Sequence, residues 1–195
     1  MANFIVPGFR GSRNSTYQEW NTFTSALGGA NAPDVASDNP NGSAQLVQTV
    51  PGAFVTSGGN IYAPSSLVNF NVNVPDYGLG AGYLTTAIVQ IRTLGTLPDL
   101  DGATFNGLFA DSAEMLFEQP LGGFGGFLRD WRFQWNDVSG NLALNSIVFS
   151  SVETSMSLDR IAVDTISSPV PEPSSLSLVL LSVLPSTGLV RWRVR

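Results

Sequence analysis

Hydrophobicity with a period of two constrains this chain more than any other feature. Residues 67–74 read Leu67-Val-Asn-Phe-Asn-Val-Asn-Val74, with Phe70, Val72 and Val74 on one side and Asn69, Asn71 and Asn73 on the other. Successive side chains of an extended strand leave on opposite faces, so this is a strand with one dry and one wet face. Further strands are predicted at 84–94, 115–119, 127–138, 146–154 and 158–166, with weaker candidates at 47–50 and 53–57. Between them lie Asn41-Gly42, Ser57-Gly-Gly-Asn60, Asp76-Tyr-Gly78, Asp101-Gly102, Asn106-Gly107 and Ser139-Gly-Asn141, residues that accept positive φ in tight turns. Only 16–27 has helical spacing, through Tyr17, Trp20, Phe23, Ala26 and Leu27, and Gly28-Gly29 would stop it. Short strands without long helices between them predict an all-β domain, a sandwich or jelly roll, over residues 14–167.

Composition narrows the chemistry such a domain can perform. The 195 residues contain no His, no Cys and no Lys, so all nine basic residues are Arg. A Ser-His or Cys-His nucleophile pair, a lysine Schiff base and the usual nitrogen or sulfur metal sites are therefore excluded. Residues 1–169 hold six Arg against fourteen Asp and Glu, a difference of −8. A body that acidic does not suit nucleic acid, whose phosphates call for a basic patch. Without cysteine there is no disulfide scaffold, and the fold must stand on its core.

Carboxylates and aromatics are what remains. Glu114 and Glu118 share a face of a strand, and two carboxyls at suitable separation can hydrolyse a glycoside. The alternative is a pair of solvated strand charges. Asp99 and Asp101 beside Gly102 offer alternate oxygen ligands for Ca²⁺, with Asp76 or Asp111 as a further donor, although an EF-hand loop would need side-chain ligands where Ala103 and Ala110 stand. The competing reading is a β-turn in which Asp bonds its own backbone. Trp131, Phe133 and Trp135 alternate with Arg132, Gln134 and Asn136. Exposed, Trp131 and Trp135 could stack on sugar rings; buried, they are core. Residues 122–127, Gly-Gly-Phe-Gly-Gly-Phe, lack the spacing and the lysine of a phosphate loop and read as a flexible loop.

After residue 167 the character changes. Residues 168–175 are a Pro-rich linker containing Pro171, Glu172 and Pro173. Residues 176–190 carry no charge, and 191–195 read Arg-Trp-Arg-Val-Arg. As a helix the apolar segment would span about 22 Å, short of the roughly 30 Å of a bilayer core. Trp192 at the interface would extend it, and Arg191, Arg193 and Arg195 would hold the cytoplasmic side. A hydrophobic last strand is the alternative.

The order Pro-Glu-Pro, apolar stretch, terminal Arg cluster resembles the PEP-CTERM sorting signal of bacteria that make exopolysaccharide. The resemblance covers about the last 27 residues. It implies that Pro171, Glu172 and Pro173 are recognised by an exosortase, a membrane-embedded cysteine transpeptidase, with the three arginines as the stop-transfer cluster. Pro185, Ser186 and Thr187 interrupt the apolar segment and depart from a good helix. The family also carries an N-terminal signal peptide. Residues 1–11 have neither its basic start nor its apolar run, so a leader encoded upstream of Met1 is expected. Residues 54–62, 89–95 and 157–164 look like the β-rich ectodomains attached to this signal.

The expectation is therefore an exported surface or extracellular-matrix protein without catalytic activity or cofactor of its own. It would be anchored transiently in the inner membrane and processed by an exosortase-like transpeptidase. A module binding exopolysaccharide is the alternative, and a secreted carboxylate-dependent hydrolase a third reading. Exposure of Trp131 and Trp135 separates the second from the first; two carboxyls facing each other in a cleft would favour the third.

Overall fold

A computed structural model describes residues 4–39, 41–122 and 126–172. They form twelve strands: β1 (Ser15–Trp20), β2 (Gln45–Gln48), β3 (Phe54–Val55), β4 (Ile61–Ala63), β5 (Asn69–Pro75), β6 (Gly80–Gly95), β7 (Thr104–Phe105), β8 (Leu108–Phe109), β9 (Ser112–Pro120), β10 (Phe127–Asn141), β11 (Leu144–Ser150) and β12 (Met156–Pro169). The larger sheet has the order β3-β4-β12-β6-β10-β9, with β1 also on β12; the smaller runs β2-β5-β11-β7-β8. Every strand pair is antiparallel. The two inner faces meet in one core, so the domain is a β-sandwich.

The alternation of β5 is realised as read. Phe70, Val72 and Val74 are fully buried, and Phe70 stacks on Phe149 of β11 with centroids 4.9 Å apart. In β12 the apolar residues break parity, because Leu158 and Ile161 are three apart and both face inward. A bulge at Asp159, between the pairs Leu158 to Thr93 and Arg160 to Arg92, resolves this by inserting one unpaired residue. The Asn106-Gly107 turn joins β7 to β8 with φ of 51° and 82°, the left-handed pair a two-residue hairpin requires.

The helix expected at 16–27 does not form. Residues 15–20 pair with Ile161 to Ile166 of β12, and the chain continues through turns. Thr16, Gln18 and Trp20 then point inward while Tyr17 and Glu19 point outward. Trp20 is fully buried, its Nε1 donating to Asn31 O at 2.9 Å. The long free edge of β12 supplies hydrogen bonds and an apolar bed that override local spacing. The folded body also exceeds the predicted 14–167. Residues 4–14 lie on the outer face of the large sheet, and β12 continues to Pro169.

Candidate functional site

The outer face of the large sheet is built in two parts. The first is a charged band covered by the N-terminal segment. Ile5 N donates to Gln90 Oε1 at 2.8 Å, and Gln90 Nε2 donates to Ile5 O at 2.8 Å, so a side-chain amide replaces a strand partner. Phe4 lies over Arg160 at 4.4 Å and Arg92 at 5.8 Å. Arg10 grips Asp164 through Nε and Nη2 at 2.6 and 2.8 Å and lies 3.6 Å over the Tyr17 ring. Arg92 pairs with Asp130, and Arg160 with Glu19. Burial pushes the Asp164 carboxyl above its ordinary range, and Arg10 only partly pulls it back. Burial, reinforced by the hydrogen bond to Glu19, pushes Tyr17 up to about 12.

The second part is open. One cross-strand row runs Phe54, Tyr62, Ser157, Leu94 and Leu128 through successive register pairs. Tyr62 sits between the core residues Ile61 and Ala63, which turns its ring to the outer face. A cleft of about 510 Å³ lies at this row, lined by Tyr62, Leu94, Thr96, Leu121, Ser155 and Ser157. Gly95 and Gly126 complete its wall. Phe54 braces Tyr62 edge-on, with centroids 5.7 Å apart, and Asn60 Nδ2 donates to Ser157 Oγ at 3.2 Å. A smaller pocket of about 150 Å³, between Leu97 and Val152, shares Thr96 with it.

Backbone approaches this cleft unusually closely. Gly95 has φ of 86°, and a Cβ there would stand 2.2 Å from Ser155 O. Ser155 itself has φ of 70°, a conformation costing a non-glycine residue about 1–3 kcal/mol. It is held by Ser155 N donating to Ala63 O at 2.8 Å and by Ser155 Oγ donating to Pro64 O at 3.0 Å. Arg129 Nη1 donates to Gly95 O at 3.1 Å while its Nε binds Glu118 at 2.7 Å.

The residues singled out from sequence fare differently. Trp131 and Trp135 are 5% and 1% exposed, so the stacking role is overturned. They face the opposite sheet, with Trp131 Nε1 donating to Thr93 Oγ1 and Trp135 Nε1 to Leu108 O. Glu114 and Glu118 do not form a facing pair: the first binds Arg132, the second Arg129. Asp99 Oδ1 accepts from Asp101 N at 3.2 Å and Gly102 N at 3.0 Å, which is the turn reading. Asp76 is buried, accepting from Asn145 and Thr165, and Asp111 accepts from Asn136. Among the described residues no three acidic groups gather to hold a metal ion.

Pro171 and Glu172 are exposed just beyond β12. Pro173, the apolar stretch 176–190 and Arg191, Arg193 and Arg195 lie outside the described residues. No helix among the described residues is long and apolar enough to cross a membrane.

Sequence reasoning missed the cleft. Its only local signal was Tyr62, between two inward residues in a three-residue strand too short to recognise. No family model, curated protein or solved structure matches this chain.

Proposed function

We propose that the chain is an exported surface or extracellular-matrix protein whose β-sandwich is a display scaffold without catalytic activity of its own. Its C-terminal segment serves as the sorting signal, recognised at Pro171, Glu172 and Pro173 by an exosortase-like transpeptidase of the inner membrane. One observation carries the reading. The last backbone hydrogen bond of the body described runs from Val170 N to Gly82 O at 2.9 Å, and Pro171 and Glu172 follow at once, both exposed. A transpeptidase needs its target extended and clear of the fold, and Pro171, which has no N–H to donate, keeps the chain from continuing the ladder beyond Val170. Cleavage there would leave the sandwich intact and remove the three terminal arginines.

Support for a scaffold rather than a hydrolase comes from the acidic groups. Glu114, Glu118, Asp130, Asp164 and Glu19 are each tied to an arginine. Mass spectrometry of the protein from a host with and without the transpeptidase tests the reading. A C-terminus near Pro173 only when the enzyme is present is the expected result; an intact Arg195 on a released product in both hosts refutes it.

A further inference from the structure

We infer that the cleft beside Tyr62 is a binding site for a short stretch of neutral saccharide. This goes beyond the sorting of the tail and does not rest on it. The size comes first. At about 510 Å³ the cleft falls within the roughly 300–1,000 Å³ of small-ligand sites, far from the extended surface of a protein partner.

The lining identifies the chemistry. None of the described residues that line it carries a charge. The nearest cation, Arg129, is already engaged, its Nη1 on Gly95 O and its Nε on Glu118, so a phosphate or uronate would have to compete with that pair for its counter-charge. What the cleft offers is one aromatic ring, two leucines and a set of hydroxyls. A hydroxyl has one donor and two acceptor lone pairs, so each is only partly used. Ser155 Oγ and Thr96 Oγ1 spend their protons on Pro64 O and Thr154 O and retain acceptor capacity. Ser157 Oγ accepts from Asn60 and retains its proton. The cleft thus presents acceptors and a donor side by side, the complement of vicinal sugar hydroxyls. The Tyr62 ring, fixed edge-on by Phe54, supplies the flat apolar surface that the C–H face of a pyranose needs.

The rigid backbone argues for a preformed site. Ser155 at φ of 70° and Gly95 at 86° are locked against each other, and a side chain at Gly95 cannot be accommodated. Strained backbone of this sort persists where surrounding structure holds it, and it clusters at ligand clamps. It lowers the ordering that binding would otherwise require.

The test uses the full-length chain and a panel of neutral oligosaccharides (β-1,4-glucan, β-1,3-glucan, mannan and xylan hexamers), with alginate hexamers as the anionic contrast. Binding is read by calorimetry. Binding of at least one neutral member with Kd below about 1 mM is expected. Tyr62→Ala should weaken it roughly tenfold or more while the protein stays folded, its melting temperature falling by no more than about 6 °C for the lost contact with Phe54. Tyr62→Trp should retain it and report it through indole fluorescence. No neutral member binding, alginate alone binding, or neutral binding that Tyr62→Ala leaves intact each overturns the inference.

Discussion

Replacing Arg10 by Met isolates what the N-terminal segment does for the sandwich. The side chain of Asp164 is 0% exposed, and Arg10, at 20%, is the cation that grips both its oxygens. Met preserves much of the packing over Tyr17 and removes the charge. Breaking a buried pair on one side costs about 3–5 kcal/mol, because the remaining charge is left uncompensated. For a body of this size each kcal/mol moves the melting temperature by about 2–4 °C. A fall of at least roughly 6 °C is therefore expected at about pH 7. The pH dependence carries the mechanism. Burial already holds the Asp164 carboxyl above its ordinary value, and removing Arg10 pushes it higher. An acid raised in the folded state gives its full stability below the unfolded value, near 3.9, and loses it as pH rises through the folded one. The deficit of Arg10→Met should thus shrink as the pH falls to about 4.5, where the carboxyl is increasingly neutral. Arg10→Met combined with Asp164→Leu should recover most of the loss at neutral pH. Calorimetric melts of the three proteins at both pH values measure all of this. A shift under about 2 °C at neutral pH, or one equally large in acid, would refute the reasoning.

Other substitutions probe the core and the cleft. Gln18 is fully buried, and neither end of its amide finds a partner among the described residues. Gln18→Leu should therefore stabilise the fold by about 1–3 kcal/mol, read as a raised urea midpoint at constant m-value; a lowered midpoint would mean the amide is satisfied. Trp135→Ala should cost about 3–5 kcal/mol as a core truncation, and an unchanged melting temperature would return this residue to the surface. Gly95→Ala sets a side chain 2.2 Å from Ser155 O at a φ of 86° and should lower the urea midpoint by the equivalent of at least about 2 kcal/mol. In alkali, Tyr17 ionises near pH 10 in the unfolded chain and at about 12 in the folded one. Its contribution to stability is complete below pH 10 and is lost as the pH climbs toward 12, a decline that Tyr17→Phe should flatten in alkaline melts.

The all-β class, the run of inward residues in β5 and several turns were legible in the chain alone. Those signals are local: strand periodicity is set by backbone geometry, and Asn106-Gly107 needs no distant partner to prefer left-handed dihedrals. The exposed exit through Pro171 and Glu172 likewise follows from proline chemistry. Tertiary structure decided the rest. Residues 16–20 became a strand because β12 offered them an edge. The register of β10 shows that Trp131, Phe133 and Trp135 share a face, but alternation cannot say which face is dry; the smaller sheet made that choice by packing on it. The cleft was hidden for the same reason. Tyr62, Gly95 and the pair Ser155 and Ser157 come from three separate segments, and only pairing through β12 brings one ring, two hydroxyls and a close-packed backbone to the same place.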